Sequence, residues 1–416
     1  MTVIEFFAQT PMENIIASLT MEITKIIFVG DNRLMNDFKP IYKDFIESRN
    51  LNNVEIAYRG INRNNLLGIV EVLSDIVEQE EQCFFDLTGG EDLALVAMGM
   101  VFQKYPQKNI QMGHLNFNSS KVTDCDNDGT LVSVKKPEIT IDELIKIHGG
   151  KVVYADKDAD GDFVGAYEWD FSEDFKKDID IMWDICRKDP KKWNSEIFII
   201  LKMCEFLHNK NMLSVSANIT ELEDYLINEN FKYFPINGFL TELQSKGLIN
   251  NLNFKDGEIA FSFKNSQVKK CLTKAGTVLE LKVTVTALEV TRKDGSHIYT
   301  QCMNGAYIDW DGGENKESDT FNEIDVILLS DLIPIFISCK NGQIDDSELY
   351  KLEAVANRFG GENVKKVLIS TYFGKQGSSK QHFCKRAVDM DIVFIDQVHK
   401  LSNSHFKGLI KQLVNS

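Results

Sequence analysis

The sequence lacks the features that identify secreted and membrane proteins. No run approaches the ~18 to 20 consecutive apolar residues of a membrane span. The first residues contain no basic region followed by an apolar stretch, so no signal peptide is predicted. The eight cysteines are scattered, without a CxxC pair or a Cys/His cluster at zinc spacing. These absences predict a cytoplasmic protein whose thiols stay reduced.

Proline and positive charge are also scarce. Seven prolines in 416 residues argue against a long disordered linker, and an apolar content of 43% is ample for two or three folded domains. The net charge of −16 argues against nucleic acid as a partner of the chain as a whole. From Lys340 onward, however, 12 Lys and Arg residues face 8 Asp and Glu residues. This basic end fits either a nucleic-acid-binding part or an ordinary solvated surface.

The stretch FNEIDVILLSDLIPIFISCKNG (residues 321–342) contains two apolar, β-branched runs joined by a short polar break, which is typical of a hairpin. If the turn lies at that break, Asp325 is opposite Ile337 or Ser338 and meets Lys340 at one end. A charge inside a buried strand costs several kcal/mol unless it is paired or bound to a metal. The carboxylate could hold a divalent cation while the lysine neutralises the charge on a phosphate. The two could also form an ordinary structural ion pair.

The residues after the hairpin favour a catalytic role for Asp325 and Lys340. A helix is predicted from about Asp346, and the Asp325-to-Cys-Lys spacing followed by a helix resembles the PD-(D/E)XK restriction-endonuclease-like fold. More narrowly, EIDV and PIFISCKNG look like the nuclease domain of CRISPR-associated effectors that carry an N-terminal CARF sensor domain. The resemblance implies phosphodiester hydrolysis with Mg²⁺ or Mn²⁺, in which Asp325 is a metal ligand and Lys340 supports the attacking water and the transition-state charge.

The same resemblance implies further site residues. The family places a glutamate on the first helix of the nuclease domain, and Glu280 is the candidate here. Most members have an acid two residues before the lysine, where this chain has Ser338, a far poorer metal ligand. Two acids could replace it: Glu348 on the next helix, or Glu323, which shares a strand face with Asp325.

The first third of the chain alternates short apolar strands with helices. We predict strands near residues 3–8, 25–29, 53–58, 82–87 and 110–116, and helices near residues 12–19, 34–48, 64–80 and 91–105. Such alternation indicates a mostly parallel, doubly wound sheet, whose ligands bind at the carboxyl ends of the strands.

Two loops at that edge have suitable chemistry. The first, residues 8–11 (AQTP), precedes a helix that carries Asn14. The second, residues 86–92 (DLTGGED), has a glycine pair that lets backbone N–H groups approach a phosphate, although such a pair is also common in a simple turn. It is neither a GxGxxG fingerprint nor a P-loop, and the acids Glu91 and Asp92 would compete with an anion at the helix start.

FFAQTPMENI and FDLTGGEDLALVAMG are similar to the two signature loops of CARF domains. In that family the loops bind cyclic oligoadenylate in a pocket across a dimer two-fold axis. Glu91 and Asp92 depart from the basic or hydroxyl residue that often follows the glycines. The resemblance implies pocket residues Gln9, Thr10, Thr88, Gly89 and Gly90, with Asp31 and Glu91 at its border.

The middle of the chain predicts a connection followed by a winged-helix-like segment. Helices are expected near residues 173–186, 195–209, 219–228 and 237–247, followed by a hairpin that turns at Asp256–Gly257. The Thr241 helix could bind DNA. A spacer or dimerisation role is favoured, because that helix has one lysine, Lys246, with Glu242 and Glu258 close by.

Together these features predict an α/β protein in three parts: a Rossmann-like CARF sensor over residues 1–150, a linker and winged-helix-like segment over residues 151–270, and a restriction-endonuclease-like domain over residues 271–416. We expect a cytoplasmic homodimer in which cyclic oligoadenylate, with cyclic tetra-adenylate favoured, activates cleavage of DNA or RNA in type III CRISPR antiviral defence. Two alternatives stay open: a ligand-responsive regulator with an inactive nuclease fold, and a ring nuclease that degrades the cyclic oligoadenylate.

Overall fold

The computed structural model describes the whole chain except residues 9, 50, 52, 117–120, 126–128, 130, 134–137, 155, 158–162, 165, 208–211, 230, 232–235, 311–320, 360–363, 375–376 and 416. At positions 116, 131–133, 156, 157, 163, 164, 321, 378 and 415 it describes the backbone.

Strands and helices alternate through the N-terminal part, as the sequence predicts. The strands are β1 (Thr2–Phe6), β2 (Lys25–Gly30), β3 (Glu55–Gly60), β4 (Gln82–Asp86), β5 (Asn109–Asn116), β6 (Lys121–Asp124) and β7 (Leu131–Ser133). The helices are α1 (Ile16–Thr20), α2 (Asn32–Ser48), α3 (Leu66–Gln79), α4 (Asp92–Lys104) and α5 (Ile141–Ile147).

These strands form one sheet in the order β3-β2-β1-β4-β5-β6-β7. Strands β1 to β5 are parallel, and β6 and β7 extend the sheet antiparallel. The carboxyl ends of β1 and β4 are adjacent, because Glu5 pairs in register with Asp86. Both predicted loops therefore leave the sheet at the same edge.

The middle segment follows three short strands, β8 (Lys151–Val152), β9 (Asp156–Lys157) and β10 (Phe163–Val164). Its helices are α6 (Glu173–Cys186), α7 (Pro190–Phe206), α8 (Ile219–Asn228), α9 (Asn237–Ser245) and α10 (Ser266–Cys271). Its strands β11 (Ser214–Asn218), β12 (Ile249–Lys255) and β13 (Glu258–Phe263) form an antiparallel sheet in the order β11-β13-β12. The β12–β13 turn has Asp256 at φ 55° and Gly257 at φ 77°, as the Asp-Gly signal predicts.

The C-terminal part contains α11 (Thr277–Glu289), β14 (Gln301–Asp309), β15 (Phe321–Ser330), β16 (Ile333–Lys340), α12 (Ser347–Arg358), β17 (Lys365–Ser370), α13 (Ser378–Asp389), β18 (Ile392–Ile395) and α14 (Asn403–Gln412). Two 3-10 turns lie at Val398–Lys400 and Leu413–Asn415. The sheet order is β18-β17-β16-β15-β14-β8, with β16, β17 and β18 parallel and the rest antiparallel.

Strand β16 shows how this second sheet is buried on both faces. Its residues Ile335 and Ile337 belong to the same apolar cluster as α6, α11 and α14. The intervening Phe336 packs on the opposite face against Phe359, with ring centroids 4.8 Å apart. Because both faces are covered, the strand is a continuous apolar run rather than an alternating one.

Several elements differ from the sequence prediction, and three of these differences have a clear local cause or consequence. Helix α1 begins at Ile16 rather than near residue 12, because residues 11–15 form turns. Helix α7 begins at Pro190 rather than 195, because the Asp189 side chain caps it and proline suits the first helical position. Strand β8 lies in the stretch predicted to be a linker, yet it pairs with β14 through Val152 and Ile308.

Candidate active site and ligand pocket

The β15–β16 hairpin positions the predicted catalytic pair. Its turn places Asp331 at φ 56°, and the register pairs Val326 with Ile337. The preceding residue, Asp325, therefore lies beside Ser338, within the range that the sequence predicts. The Lys340 ammonium is 3.7 Å from Asp325 Oδ2, at the end of the hairpin.

The Asp325 carboxylate is held by the strand opposite. The Cys339 backbone N–H donates to Oδ2 at 2.7 Å, and the Ser338 hydroxyl donates to the same oxygen at 3.2 Å. Burial raises the pKa of Asp325, while the Lys340 charge and the Cys339 hydrogen bond oppose that rise. Ser338 thus acts on Asp325 as a hydrogen-bond donor, which an acid at this position could not do when ionised.

Glu280 approaches the hairpin from α11. Its side chain is 6% exposed, and burial followed by the Asp325 charge raises its pKa to about 8. Lys274 and Lys340 oppose this rise without cancelling it. Glu280 and Asp325 therefore form a pair of neighbouring buried carboxylates, as the family resemblance implies, and each disfavours ionisation of the other.

The two remaining predicted acids are each held by lysines. Glu348 Oε2 lies 3.0 Å from the Lys340 ammonium, and its Oε1 lies 2.9 Å from Lys351. Glu323 Oε1 lies 3.0 Å from Lys274. A cavity of about 450 Å³ runs between the hairpin and α12, lined among others by Glu323, Asp325, Ser338, Lys340 and Glu348.

This donor set partly fits a hard divalent cation. Carboxylate oxygens are the ligands that Mg²⁺ and Mn²⁺ prefer, and a cation between Glu280 and Asp325 would relieve the repulsion that raises the Glu280 pKa. Within the residues described, no three His, Cys, Asp or Glu side chains are already grouped as metal ligands. A third metal-binding carboxylate would have to be Glu323 or Glu348. Either one would first have to break its ion pair with a lysine.

An amide network behind Lys340 is a feature that the sequence analysis did not identify. The buried Asn341 side chain donates to Asn194 Oδ1 of α7 at 2.8 Å and to the Ala275 carbonyl oxygen at 3.3 Å. Asn194 donates back to the Asn341 carbonyl oxygen. Asn341 thereby ties the end of β16 to the middle segment and to the loop that starts the Glu280 helix. The Asn-Gly pair in the sequence signals only the end of a strand.

At the edge of the N-terminal sheet, Asn14 fixes the first predicted loop. Its side chain accepts from Ala8 N at 2.8 Å and donates to Ala8 O at 2.9 Å. Gln9 lies outside the described residues. The Thr10 carbonyl oxygen accepts from Glu13 N at 3.1 Å, within the turn before α1.

The second predicted loop is packed tightly against the first. A Cβ atom on Gly89 would lie 2.9 Å from the Ala8 Cβ, and one on Gly90 would lie 2.6 Å from the Phe6 Cβ. Gly90 also has φ 105°, which disfavours any other residue. Thr88 joins β4 to β5, because its hydroxyl oxygen accepts from Leu115 N at 2.9 Å.

A cavity of about 220 Å³ opens at this edge. Three of the predicted pocket residues line it, Asp31, Gly90 and Glu91, whereas Thr10, Thr88 and Gly89 are not part of its lining. Asp31 caps α2, and Glu91 lies 3.3 Å from Arg63.

Beneath this edge lies a buried acid pair that the sequence analysis overlooked. Glu5 on β1 is fully buried, and its carboxyl group lies beside that of Asp86 on the neighbouring strand β4. Burial, and then the charges of Asp86 and Glu13, raise its pKa well above the usual range. Burial also raises the pKa of Asp86 to about 6. The sequence signal for this buried acid is Glu5 itself, which interrupts the apolar run VIEFF of residues 3–7.

Comparisons with known proteins support the fold. No family model matches the chain, and no curated protein matches it. Among solved structures, protein VC1899 from Vibrio cholerae aligns with a TM-score of 0.72 at 18% identity, covering 100% of this chain and 97% of that one. Can2 from Sulfobacillus thermosulfidooxidans, solved in complex with cyclic tetra-adenylate, aligns with a TM-score of 0.66 at 16% identity, covering 100% of this chain and 99% of that one.

These similarities extend over the whole chain. The predicted fold class, a Rossmann-like N-terminal part followed by further α/β parts, is confirmed. No helix among the described residues is both long and apolar enough to span a membrane.

Proposed function

We propose that this chain is a cyclic-oligoadenylate-activated, metal-dependent nuclease of type III CRISPR defence. The observation that carries the proposal is that Asp325 and Lys340 meet in one cavity of the C-terminal part, with the buried Glu280 near enough for both of their charges to act on it. Carboxylates can hold a divalent cation, and a lysine beside them can balance the charge that develops on a phosphate during phosphodiester hydrolysis.

In this proposal Asp325 and Glu280 hold Mg²⁺ or Mn²⁺, with Glu323 or Glu348 as a third ligand. The bound ion would supply Lewis-acid polarisation of the phosphate and a lowered pKa of the attacking water. Lys340 orients that water and balances the negative charge that develops on the phosphate. Water adds to phosphorus, the phosphorus–oxygen bond to the leaving group breaks, and the leaving oxygen takes up a proton.

The proposed activator binds at the carboxyl edge of the N-terminal sheet. The fold similarity to Can2, solved with cyclic tetra-adenylate, supports that compound as the first to test. The Gly89–Gly90 loop and the start of α4 offer backbone N–H groups to a phosphate. Arg63 is the one cationic side chain of the cavity lining among the described residues, so a phosphate would compete with Glu91 for it.

A homodimer is part of the proposal, because the activator cavity of a single chain is too small for a typical ligand pocket. The cavity of about 220 Å³ is smaller than the ~300 to 1,000 Å³ typical of ligand pockets. On the neighbouring helices α3 and α4, Leu67, Val96 and Met100 are 67%, 51% and 42% exposed. An apolar surface of this kind is suited to a second copy that would complete the pocket. A cytoplasmic location also belongs to the proposal.

The test measures cutting of labelled single-stranded RNA, single-stranded DNA and supercoiled plasmid in Mn²⁺. Each substrate is incubated with no ligand, with cyclic tetra-adenylate and with cyclic hexa-adenylate. We expect cutting that requires both ligand and metal, and that disappears in Asp325→Ala and Lys340→Ala while persisting in the exposed control Lys43→Ala. Ligand-bound protein that cuts none of the substrates would contradict the proposal.

A second candidate function is a ligand-responsive regulator with an inactive nuclease fold. Two observations favour it: Ser338 replaces an acid, and the described residues contain no ready group of three metal ligands. Sequence-specific duplex binding that persists in EDTA, together with no cutting in Mn²⁺, would establish this function instead.

A further inference from the structure

A groove of about 790 Å³ lies where the middle segment meets the C-terminal sheet. Its walls come from the end of α6, the end of α9 and the 3-10 turn Val398–Lys400. Its charged and titratable side chains are Asp184, Arg187, Lys188, Lys246, His399 and Lys400. Four cations and one carboxylate therefore line one concavity of a chain whose net charge is −16.

Two of these cations serve the structure. Arg187 joins α6 to the C-terminal turn, since its guanidinium donates to the His399 carbonyl oxygen at 3.3 Å and to the Leu401 carbonyl oxygen. Lys188 lies 2.9 Å from Glu242 in an exposed pair. Such pairs are weak in water, so Lys188 can exchange partners at little cost.

The other two cations, Lys246 and Lys400, called the unpaired groove lysines below, form no ion pair with any residue that the structure describes. The Lys400 ammonium is 2.7 Å from Gln397 Oε1, which is neutral. The position of Lys246 at the end of α9 is stabilised by the helix dipole, because a cation is favourable at a helix C-terminus. This explanation does not apply to Lys400. Like charges facing one concavity focus a positive field there.

The groove wall is linked to the end of β16 through the backbone of Thr371. The carboxyl ends of β16 and β17 are joined where Thr371 N donates to the Lys340 carbonyl oxygen at 3.1 Å. His399, in the groove wall, lies beside the Thr371 backbone. Thr371 Oγ1 and His399 Nδ1 are buried without a hydrogen-bond partner among the described residues. The residue after Thr371 is Tyr372, and the Lys191 ammonium at the start of α7 lies 4.9 Å from the centroid of its ring.

We propose that this groove binds the phosphodiester backbone of the nucleic acid that is cut at Lys340. The proposal rests on the proposed nuclease function and adds the surface that would hold the substrate. Lys246 and Lys400 contact successive phosphates, and contacts of this kind position a strand without reading its bases. The winged-helix-like segment then contributes one wall of a substrate channel rather than a base-reading helix.

The test is binding of labelled single-stranded and duplex oligonucleotides, in EDTA so that nothing is cut, with and without cyclic tetra-adenylate. The variant Lys246→Gln/Lys400→Gln neutralises the two unpaired groove lysines. The matched control, Lys43→Gln/Lys146→Gln, removes the same charge from exposed lysines of the N-terminal part. Affinity is measured from 50 to 300 mM salt.

We expect the groove variant to bind about tenfold more weakly at low salt, with the slope of log affinity against log salt shallower by about two. The control should match the wild type in both. Equal affinity and slope in the groove variant would overturn the proposal, as would a wild type that binds neither oligonucleotide. Cutting by the wild type in Mn²⁺ is measured separately and tests the nuclease function. The groove proposal is tested by the binding measurement alone, so the failure of one can be told from the failure of the other.

Discussion

The N-terminal and C-terminal parts of this molecule each bury a pair of carboxylates, and the pairs have different neighbours. In the N-terminal sheet Glu5 and Asp86 lie side by side with a third acid, Glu13, nearby. In the C-terminal part Glu280 and Asp325 lie beside Lys340 and Lys274. Burial is the largest cause of the raised pKa values in both places.

The lysines account for the difference in chemistry. The Lys340 charge opposes the rise in the Asp325 pKa, and Glu280, the partner of Asp325, has a pKa of about 8, within reach of metal binding near neutral pH. Within the described residues, the charges acting on Glu5 are those of Asp86 and Glu13, and its pKa lies well above the usual range. The N-terminal pair is therefore suited to holding a proton and the C-terminal pair to holding a cation.

Removing the cation should make the C-terminal pair resemble the N-terminal one. Lys340→Met keeps the length of the side chain and removes its charge. We expect the rate of cutting in Mn²⁺ to fall by at least about 10²-fold, because charge stabilisation at the phosphate is lost. The exposed Lys351, which shares Glu348 with Lys340, is the matched control: Lys351→Met should stay within about threefold of the wild type. Equal losses in both variants would remove the special role of Lys340.

Glu280→Gln should stabilise the fold as pH rises. The folded pKa of about 8 lies above the ordinary value of 4.5, so between about pH 4.5 and 8 the unfolded chain gives up the Glu280 proton while the folded chain keeps it, and the wild type loses stability as pH rises through this range. The variant lacks this loss and should exceed the wild type by on the order of 3 kcal/mol at pH 8, and by little at pH 5. Urea unfolding at both pH values measures it. A gap that does not widen with pH would contradict the assignment.

Asn341→Ala tests whether the C-terminal pair depends on the middle segment. The change leaves Asn194 and the Ala275 carbonyl without their partner and should cost about 1–3 kcal/mol in the free energy of unfolding. Because Asn341 follows Lys340, we also expect a lower kcat with little change in KM. Asn194→Ala breaks the same network from α7 and should give the same kinetic pattern. A loss of stability without any change in kcat would assign Asn341 a purely structural role.

Glu5→Gln should have the smallest effect near neutral pH. Glutamine resembles protonated glutamate, and burial together with the Asp86 and Glu13 charges favours the protonated form of Glu5, so the melting temperature at pH 7 should change by less than about 2 °C. The wild type should lose stability relative to the variant as pH rises toward the raised folded pKa. A large loss in the variant at pH 7 would mean that Glu5 is ionised in the folded state.

Local pattern predicted the features that arise from neighbouring residues. The two apolar, β-branched runs and the polar break between them located the β15–β16 hairpin, and with it the meeting of Asp325 and Lys340. The Asp256–Gly257 turn followed from the same kind of signal. Glu280, by contrast, was identified only through the family resemblance, because nothing in its helix distinguishes it from other acids.

The features that the sequence did not reveal are formed by residues far apart in the chain. Asn194 and Asn341 are 147 positions apart, and the basic groove combines residues of α6, α9 and a C-terminal turn. A two-residue strand such as β8 carries too little pattern to detect, and it is defined only by its pairing with β14. Buried Glu5 violates the apolar pattern of its strand, which marks a position worth examining.

The most direct test of the central claim is the initial rate of nucleic-acid cleavage in Mn²⁺, with and without cyclic tetra-adenylate, for wild type and Asp325→Asn side by side. The account predicts cutting by the wild type that rises when the ligand is added and disappears when Mn²⁺ is replaced by EDTA. It predicts no cutting by Asp325→Asn under any condition. Cutting that persists in Asp325→Asn, or that is the same with and without ligand, would contradict it.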